Sequence, residues 1–287
     1  SIRERVRRGE LEARSVTADE SRRTVTTAEW VEAHLAPSDG PGPHGHGYTE
    51  DHLDGQALYY RFDLSPGVVG LSLDTGGFNA GSIGETQLRW LETQLRSVSS
   101  RWYDESGAEQ RTRASDRLVM VFSHFPSPTL TGSSDPTRPD ERRVLGPEVL
   151  ATLHRFPNVV AWVNGHTHSN RIEPRPDPDR RGGGFWEITT ASHVDYPEQA
   201  RIVELTDNGD GTLSLFTTMI EHAAPAAADH GDLSAPGLAA ISRELSANNS
   251  IEDIDRHVGP ISALNCELVV PAPFPLASLH GSVAAGA

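Results

Sequence analysis

Three short apolar runs that alternate with helical patterns constrain the fold of this chain more than any other feature. The runs cover residues 68–73, 118–122 and 159–163. Their length and their Val and Leu content are typical of strands buried on both faces of a sheet. Helical periodicity separates them, at about 82–98 and 147–156. Strands that alternate with helices predict a layered α/β fold with parallel neighbouring strands.

Each apolar run is followed by a polar side chain that is able to carry chemistry. Asp74 follows the first run, His124 the second, and His166 and His168 the third. Ligands of open α/β sheets bind beyond the carboxyl ends of parallel strands, so we expect these side chains to share a crevice. Imidazole is a good ligand for zinc, iron, manganese and copper. The pattern therefore predicts a metal site formed by His124, His166 and His168.

Ordinary structural explanations exist for several of these positions. His124 is alternatively explained as a histidine at a strand end that is hydrogen bonded to the backbone. Asp74 is alternatively explained as the first residue of an Asx turn, because Gly76 follows two positions later. The His-x-His spacing alone is near the level expected from the number of histidines. We expect His46, in a Gly- and Pro-rich loop, to be exposed to solvent or, alternatively, to flank a substrate.

A group of arginines in an acidic chain is a second candidate for ligand contact. The segment 171–184 is predicted to be a loop, and its arginines are Arg171, Arg175, Arg180 and Arg181. Arginine binds phosphate through charge-assisted hydrogen bonds. A solvated loop face is the simpler interpretation of the same group, and it is the one that the sequence favours.

Composition excludes several classes of protein. The formal net charge is −15, with 40 acidic and 25 basic residues, which argues against a nucleic-acid-binding scaffold. One cysteine excludes an intramolecular disulfide and a cysteine-based zinc site. No apolar run approaches the roughly 18 residues of a transmembrane helix. Walker A, dinucleotide-binding and nucleophile-elbow motifs are also missing from the sequence.

The remaining patterns predict three parts. Residues 1–47 form an N-terminal helix and a Gly-, Pro- and His-rich loop, and residues 48–222 form the α/β core. The core ends in antiparallel strands joined by a hairpin turn at 208–211 (Asn-Gly-Asp-Gly). Residues 223–287 are predicted to be an Ala-rich linker, a helix and a loose tail.

Two motifs together resemble the C-terminal half of the calcineurin-like metallophosphoesterase superfamily. They are Ser-His-Phe-Pro at 123–126 and Asn-Gly-His-Thr-His at 164–168. The stretches Gln87-Leu-Arg-Trp-Leu and Phe185-Trp-Glu-Ile are similar to that family as well, so that the resemblance covers about 25–220. It implies a four-layer α/β/β/α sandwich around two metal ions, which are manganese, iron or zinc.

The resemblance also implies roles for individual residues. His124 and His166 would bind one metal ion and His168 the other, with a hydroxide between the metals attacking phosphorus. Asn164 and Ser169 would orient the imidazoles from behind. The substrate implied is a small phosphate mono- or diester. Its identity, the localisation of the protein and its oligomeric state stay open.

The family motifs expected upstream are missing from the sequence before Leu73, and the Gly-Asp pairs at 209–210 and 231–232 lie downstream. Those motifs are Asp-x-His, Gly-Asp and Gly-Asn-His, which supply the remaining ligands and the bridging carboxylate. We therefore expect the C-terminal part of a longer phosphoesterase, or a degraded homologue, with an incomplete sandwich. Such a chain would bind at most one metal ion weakly and have little or no activity.

Two alternatives follow from the same observations. The first is a non-catalytic pseudoenzyme or binding module that retains the fold. The second is an unrelated mononuclear zinc hydrolase that uses the three histidines, with Asp74 as the candidate general base.

Overall fold

The computed structural model describes most of the chain in two compact units. The described residues are 2–10, 12, 17, 19, 21–37, 44–54, 57–76, 80–181, 184–249 and 254–276. The units are Ser1–Gln56 and Ala57–Ala287. The Gly/Pro segment 38–43 and the end of the predicted tail, 277–287, lie outside the described residues. The three-part division at residues 47 and 222 stays a prediction.

The elements are as follows. The helices are α1 (Ile2–Arg7), α2 (Thr27–Leu35), α3 (Glu85–Ser97), α4 (Gly146–His154), α5 (Ala235–Ala247) and α6 (Ile254–Val258). The strands are β1 (Tyr60–Ser65), β2 (Val68–Ser72), β3 (Ile83–Gly84), β4 (Arg101–Tyr103), β5 (Glu109–Arg111), β6 (Leu118–Phe122), β7 (Arg143–Val144), β8 (Val159–Asn164), β9 (Arg171–Pro176), β10 (Gly184–Thr189), β11 (Gln199–Asp207), β12 (Thr212–Glu221) and β13 (Cys266–Pro271). Among the described residues, no helix is both long and apolar enough to cross a bilayer.

Helix α2 of the N-terminal unit begins at a capping box. The hydroxyl of Thr26 accepts a hydrogen bond from the backbone N–H of Glu29 at 3.2 Å, and the Glu29 carboxylate accepts one from the backbone N–H of Thr26 at 2.7 Å. Two donors at the helix start are thereby satisfied. The helix predicted at about 27–35 is confirmed.

A six-stranded sheet forms the centre of the second unit, in the order β1-β2-β6-β8-β10-β9. Strands β2, β6, β8 and β10 are parallel, and the two edge strands are antiparallel to their neighbours. The three apolar runs of the sequence are β2, β6 and β8. The prediction of a mixed α/β fold with parallel central strands is confirmed.

The predicted loop at 171–184 is wrong over its first half. Residues Arg171–Pro176 form β9, which pairs antiparallel with β10 from Arg171 opposite Thr189 to Pro176 opposite Gly184. The two prolines, Pro174 and Pro176, are typical of loops. An edge strand tolerates them, because an outward-facing proline removes no hydrogen bond from the ladder.

A second, antiparallel sheet has the order β11-β12-β13. The predicted hairpin joins its first two strands, and Gly209 and Gly211 adopt positive φ values of 72° and 90° in the turn. Strand β13 is not predicted from the sequence. It comes from the C-terminal segment and pairs with β12 from Pro271 opposite Thr212 to Cys266 opposite Thr217.

Two apolar clusters occupy opposite faces of the six-stranded sheet. The cluster on the side of helices α3 and α4 includes Leu91, Leu95, Val149 and Leu153. The cluster toward the second sheet includes Leu213, Leu215, Leu268 and Val270. Strand β6 contributes to both, with Val119 and Val121 in the first and Leu118 and Met120 in the second. Alternate side chains of a strand point to opposite faces, so the described part of this unit is layered helix, sheet, sheet.

The buried carboxylate of Glu187 on β10 links several elements at the carboxyl edge of the sheet. Its side chain is 2% exposed. It accepts hydrogen bonds from the backbone N–H and the hydroxyl of Ser127, both at 2.7 Å, and from the Asn164 amide at 3.1 Å. Arg175 on β9 donates to it at 2.6 Å. The carboxylate therefore joins the segment after β6, the end of β8, and the edge strand β9.

We expect the Glu187→Gln substitution to lower the free energy of unfolding by about 1.5–3 kcal/mol, because it removes a buried negative charge that accepts hydrogen bonds from Ser127 and Arg175. Glu173→Gln is the matched control. Glu173 bonds to the same arginine, but its side chain is 28% exposed, so its loss should cost less than about 1 kcal/mol. Urea unfolding at pH 7 measures both values, and equal losses would contradict the role assigned to Glu187.

Candidate functional site

Two of the predicted histidines meet where β6 and β8 end. These strands are parallel neighbours, with Phe122 opposite Val163, and each histidine follows two residues after its strand. The backbone N–H of Gly165 donates to the carbonyl of His124 at 3.0 Å, which fastens one loop to the other. His124 Nε2 and His166 Nδ1 lie 3.3 Å apart. The structure thus places this pair side by side at the carboxyl edge of the sheet.

The loop after β8 has an unusual backbone. His166 and His168 have φ values of 64° and 52°, in the left-handed region. Residues other than glycine adopt this region at a conformational cost of about 1–3 kcal/mol each, and such residues cluster at functional sites. Alternating left-handed residues turn the chain sharply directly after a strand.

His168 has a carboxylate partner that the sequence analysis missed. Its Nδ1 is hydrogen bonded to the carboxylate of Asp195. Asp195 follows β10, which is the fourth parallel strand and ends at the same edge of the sheet. A prediction that the strand at 184–189 runs parallel to the other strands would have placed the 190–195 loop at the same edge of the sheet. An imidazole held at Nδ1 by a carboxylate leaves Nε2 as its remaining ligand atom.

Burial favours the neutral forms of His124 and His166. Burial lowers the pKa of His124, and the nearby His168 lowers it further. Burial also lowers the pKa of His166, with added repulsion from His124 and His168. Metal ions bind the neutral imidazole, which is the form that a lowered pKa favours.

The residues predicted to orient the imidazoles make other contacts. The Asn164 side chain donates to Glu187 and accepts from the Thr189 hydroxyl at 2.6 Å. The Ser169 hydroxyl donates to the carbonyl of Thr167 at 2.9 Å. Both therefore hold the loop backbone or its supporting strand.

Asp74 and His46 are two further residues singled out by the sequence, and each has contacts within its own unit. The Asp74 carboxylate accepts from the backbone N–H of Gly76 at 3.1 Å, which is an Asx turn. Burial raises the pKa of Asp74. His46 belongs to the N-terminal unit, where it is exposed and its ring lies 5.8 Å from that of His34.

The donor set does not fit a dinuclear metal centre. Among the described residues, no group of three or more His, Cys, Asp or Glu side chains is arranged to hold a metal ion. His124 and His166 form a pair, and His168 is engaged by Asp195. The carboxylate that would bridge two metals is missing from this arrangement of described side chains.

A solved structure is similar to part of this chain. No protein-family model matches the sequence, and no curated protein matches it. A dimetal phosphatase from Danio rerio is similar over 57% of this chain and 58% of that chain, with 15% identity and a TM-score of 0.36. The chain thus spans less than two thirds of the length of that phosphatase. A TM-score of this size does not establish a shared fold.

We expect NMR titration to give midpoints for His124 and His166 below the usual histidine pKa of about 6.5. Removing the neighbouring imidazole by His124→Gln should raise the pKa of His166. His154→Gln, on helix α4, is the control and should leave that midpoint unchanged. Since the unfolded chain takes up these protons more readily, acidification from pH 7 through the usual histidine range should lower the free energy of unfolding. An unshifted His166 midpoint in His124→Gln would refute the coupling of the two rings.

Proposed function

We propose that this chain carries the histidine part of a metal-dependent phosphoesterase site and hydrolyses phosphate esters weakly or not at all by itself. The observation that carries the proposal is the pairing of His124 and His166, 3.3 Å apart at the ends of adjacent parallel strands. The resemblance of the 123–126 and 164–168 motifs to calcineurin-like metallophosphoesterases supports the reaction class. The substrate class is then a small phosphate mono- or diester.

Hydrogen bonds within the chain position the imidazole rings as potential metal ligands. The Glu187 carboxylate ties the segment after His124 to the strand before His166, so the two rings are positioned together. Asp195 fixes the ring of His168 through Nδ1, as carboxylates commonly do for metal-binding histidines. Manganese, iron and zinc all accept imidazole ligands. Two metal ions are proposed for the complete protein, and at most one weakly bound ion for this chain.

A second candidate function is a non-catalytic binding module that keeps the same scaffold. The observation that favours it is the lack of a three-ligand group among the side chains that the structure describes. Metal binding separates the two candidates, because a pure binding module has no requirement for the histidine pair as ligands.

The test is metal content by elemental analysis after EDTA treatment and reconstitution with manganese, iron or zinc. We expect at most one metal ion per chain, with affinity lowered at least tenfold by His124→Gln or His166→Gln. Asp195→Asn should lower it about 10- to 100-fold, because it removes the partner that orients His168. His154→Gln is the control and should not change it. Hydrolysis of bis(4-nitrophenyl) phosphate should stay near the background of the free metal.

Each result has a defined meaning. Two tightly held metal ions, with hydrolysis that His124→Gln abolishes, would overturn the proposal of weak activity. Metal binding that none of the histidine substitutions changes would overturn the phosphoesterase assignment and support the binding module.

A further inference from the structure

The C-terminal segment 254–264 returns to the histidine loop after β8. The backbone N–H of Asn170 donates to the carbonyl of His257 at 3.0 Å, and the Asn170 amide donates to the carbonyl of Val258 at 3.3 Å. His257 is 2% exposed, and its ring centroid lies 6.4 Å from that of His168. A part of the chain that lies 88 positions beyond Asn170 therefore packs directly against the loop of a candidate metal ligand.

The side-chain amide of Asn170 has a partner at each of its hydrogen-bonding positions. Its nitrogen donates to Val258 and to the side-chain oxygen of Gln199, the latter at 3.1 Å. Its oxygen accepts from the backbone N–H of Ala191 at 3.1 Å and from the Arg201 guanidinium at 2.9 Å. An amide side chain has two N–H donors and two acceptor lone pairs, so all of them are used. Asn170 is 1% exposed, and a fully satisfied buried polar network of this kind makes its surroundings rigid.

One of these hydrogen bonds joins the two loops that carry His168 and Asp195. Asn170 comes two positions after His168, and Ala191 comes four positions before Asp195. The bond between Asn170 and Ala191 thus ties the loop after β8 to the loop after β10. The hydrogen bond from His168 Nδ1 to Asp195 spans the same two loops. Since a hydrogen bond weakens steeply away from its preferred distance and angle, the spacing of the loops decides whether this pair forms.

Arg201 connects the C-terminal segment to the same amide. Besides Asn170, its guanidinium donates to the carbonyls of Ala263 at 2.7 Å and Leu264 at 3.1 Å. These acceptors are neutral, and burial lowers the pKa of Arg201. Taking a charged group out of water costs free energy unless hydrogen-bond acceptors replace the water. The burial of Arg201 therefore depends on the positions of Asn170 and of the C-terminal segment.

We propose that Asn170 is a positioning residue of the candidate site. It holds the loop of His168 at the spacing at which Asp195 accepts a hydrogen bond from Nδ1, and the C-terminal segment 254–264 acts on His168 through it. Loss of the Asn170 amide should therefore loosen the hydrogen bond between His168 and Asp195, although neither of these residues has changed. That this bond contributes to metal affinity rests on the proposed function, whereas its dependence on Asn170 does not.

The test is NMR of the full chain in EDTA at pH 7, which follows the Nδ1–H proton of His168, assigned by its absence in His168→Gln. We expect this proton to exchange slowly with water in the unsubstituted chain, because Asp195 accepts a hydrogen bond from it. Asn170→Ala should accelerate the exchange about tenfold, which is the order of the factor that one hydrogen bond contributes to an equilibrium. Arg201→Gln removes a partner of the Asn170 oxygen and should accelerate the exchange by a smaller factor. When zinc is added instead of EDTA, Asn170→Ala should lower its affinity about tenfold or more.

Asn158→Ala is the matched control. Asn158 is 3% exposed, and its amide donates to the carbonyls of Val98 at 2.7 Å and Arg117 at 3.1 Å and to the carboxylate of Asp116 at 3.1 Å. It precedes β8, whereas the histidine loop follows that strand. The control thus removes a comparable set of buried hydrogen bonds at the opposite end of the strand. We expect urea unfolding to show a loss of stability for both alanine variants, of which only Asn170→Ala accelerates the exchange.

Several outcomes would overturn the proposal. Exchange in the unsubstituted chain at the rate of a free imidazole, or exchange that neither Asn170→Ala nor Arg201→Gln changes, refutes the positioning role. Equal acceleration by Asn158→Ala refutes it as well, because the effect then follows from general destabilisation. If Asn170→Ala does not fold, Arg201→Gln decides the question alone. Accelerated exchange in Asn170→Ala, together with zinc binding that no histidine substitution changes, refutes the proposed function alone. Zinc binding that depends on His124, together with unchanged exchange, refutes the positioning role alone.

Discussion

The hydrogen bonds to the buried carboxylate of Glu187 are the constraint on which the histidine loops depend. A charge at 2% exposure is costly unless it is paired and fully hydrogen bonded. Here Ser127, Asn164 and Arg175 supply the donors, and each belongs to a different segment. If the ends of β6 and β8 moved apart, the buried carboxylate would lose some of these donors. Such an arrangement is therefore higher in free energy.

Parallel pairing explains why the polar side chains gather at one edge. Strands β6, β8 and β10 run in the same direction, so the segments that follow them emerge together. His124, His166 with His168, and Asp195 come from these three segments. The left-handed backbone at His166 and His168 then turns the chain within a few residues. The surrounding hydrogen bonds offset the conformational free energy that this backbone costs.

The individual histidines of the site are well positioned as metal ligands, but the set of ligands is incomplete. Burial favours the neutral forms of His124 and His166, and a carboxylate holds Nδ1 of His168, as carboxylates commonly do for metal-binding histidines. Their arrangement in the described chain does not form a three-ligand group.

The local features of the molecule are readable from the sequence. The buried strands, the capping box at Thr26 and the glycines of the 208–211 turn are local patterns, set by side chains a few residues apart. The positions of His124 and His166 after consecutive strands follow from the same patterns. The edge strand β9 escaped prediction because its prolines are tolerated only at an edge, and being an edge is a property of the whole sheet.

Only the tertiary structure decided which groups became partners. Ser127 and Glu187 are 60 positions apart, His168 and Asp195 are 27 apart, and Asn170 and Val258 are 88 apart. A local pattern carries no information on such pairs, since the order of strands in the sheet and the return of the C-terminal segment bring them together. For the same reason, the sequence predicts a linker, a helix and a tail for 223–287, whereas the fold packs part of that segment against Asn170.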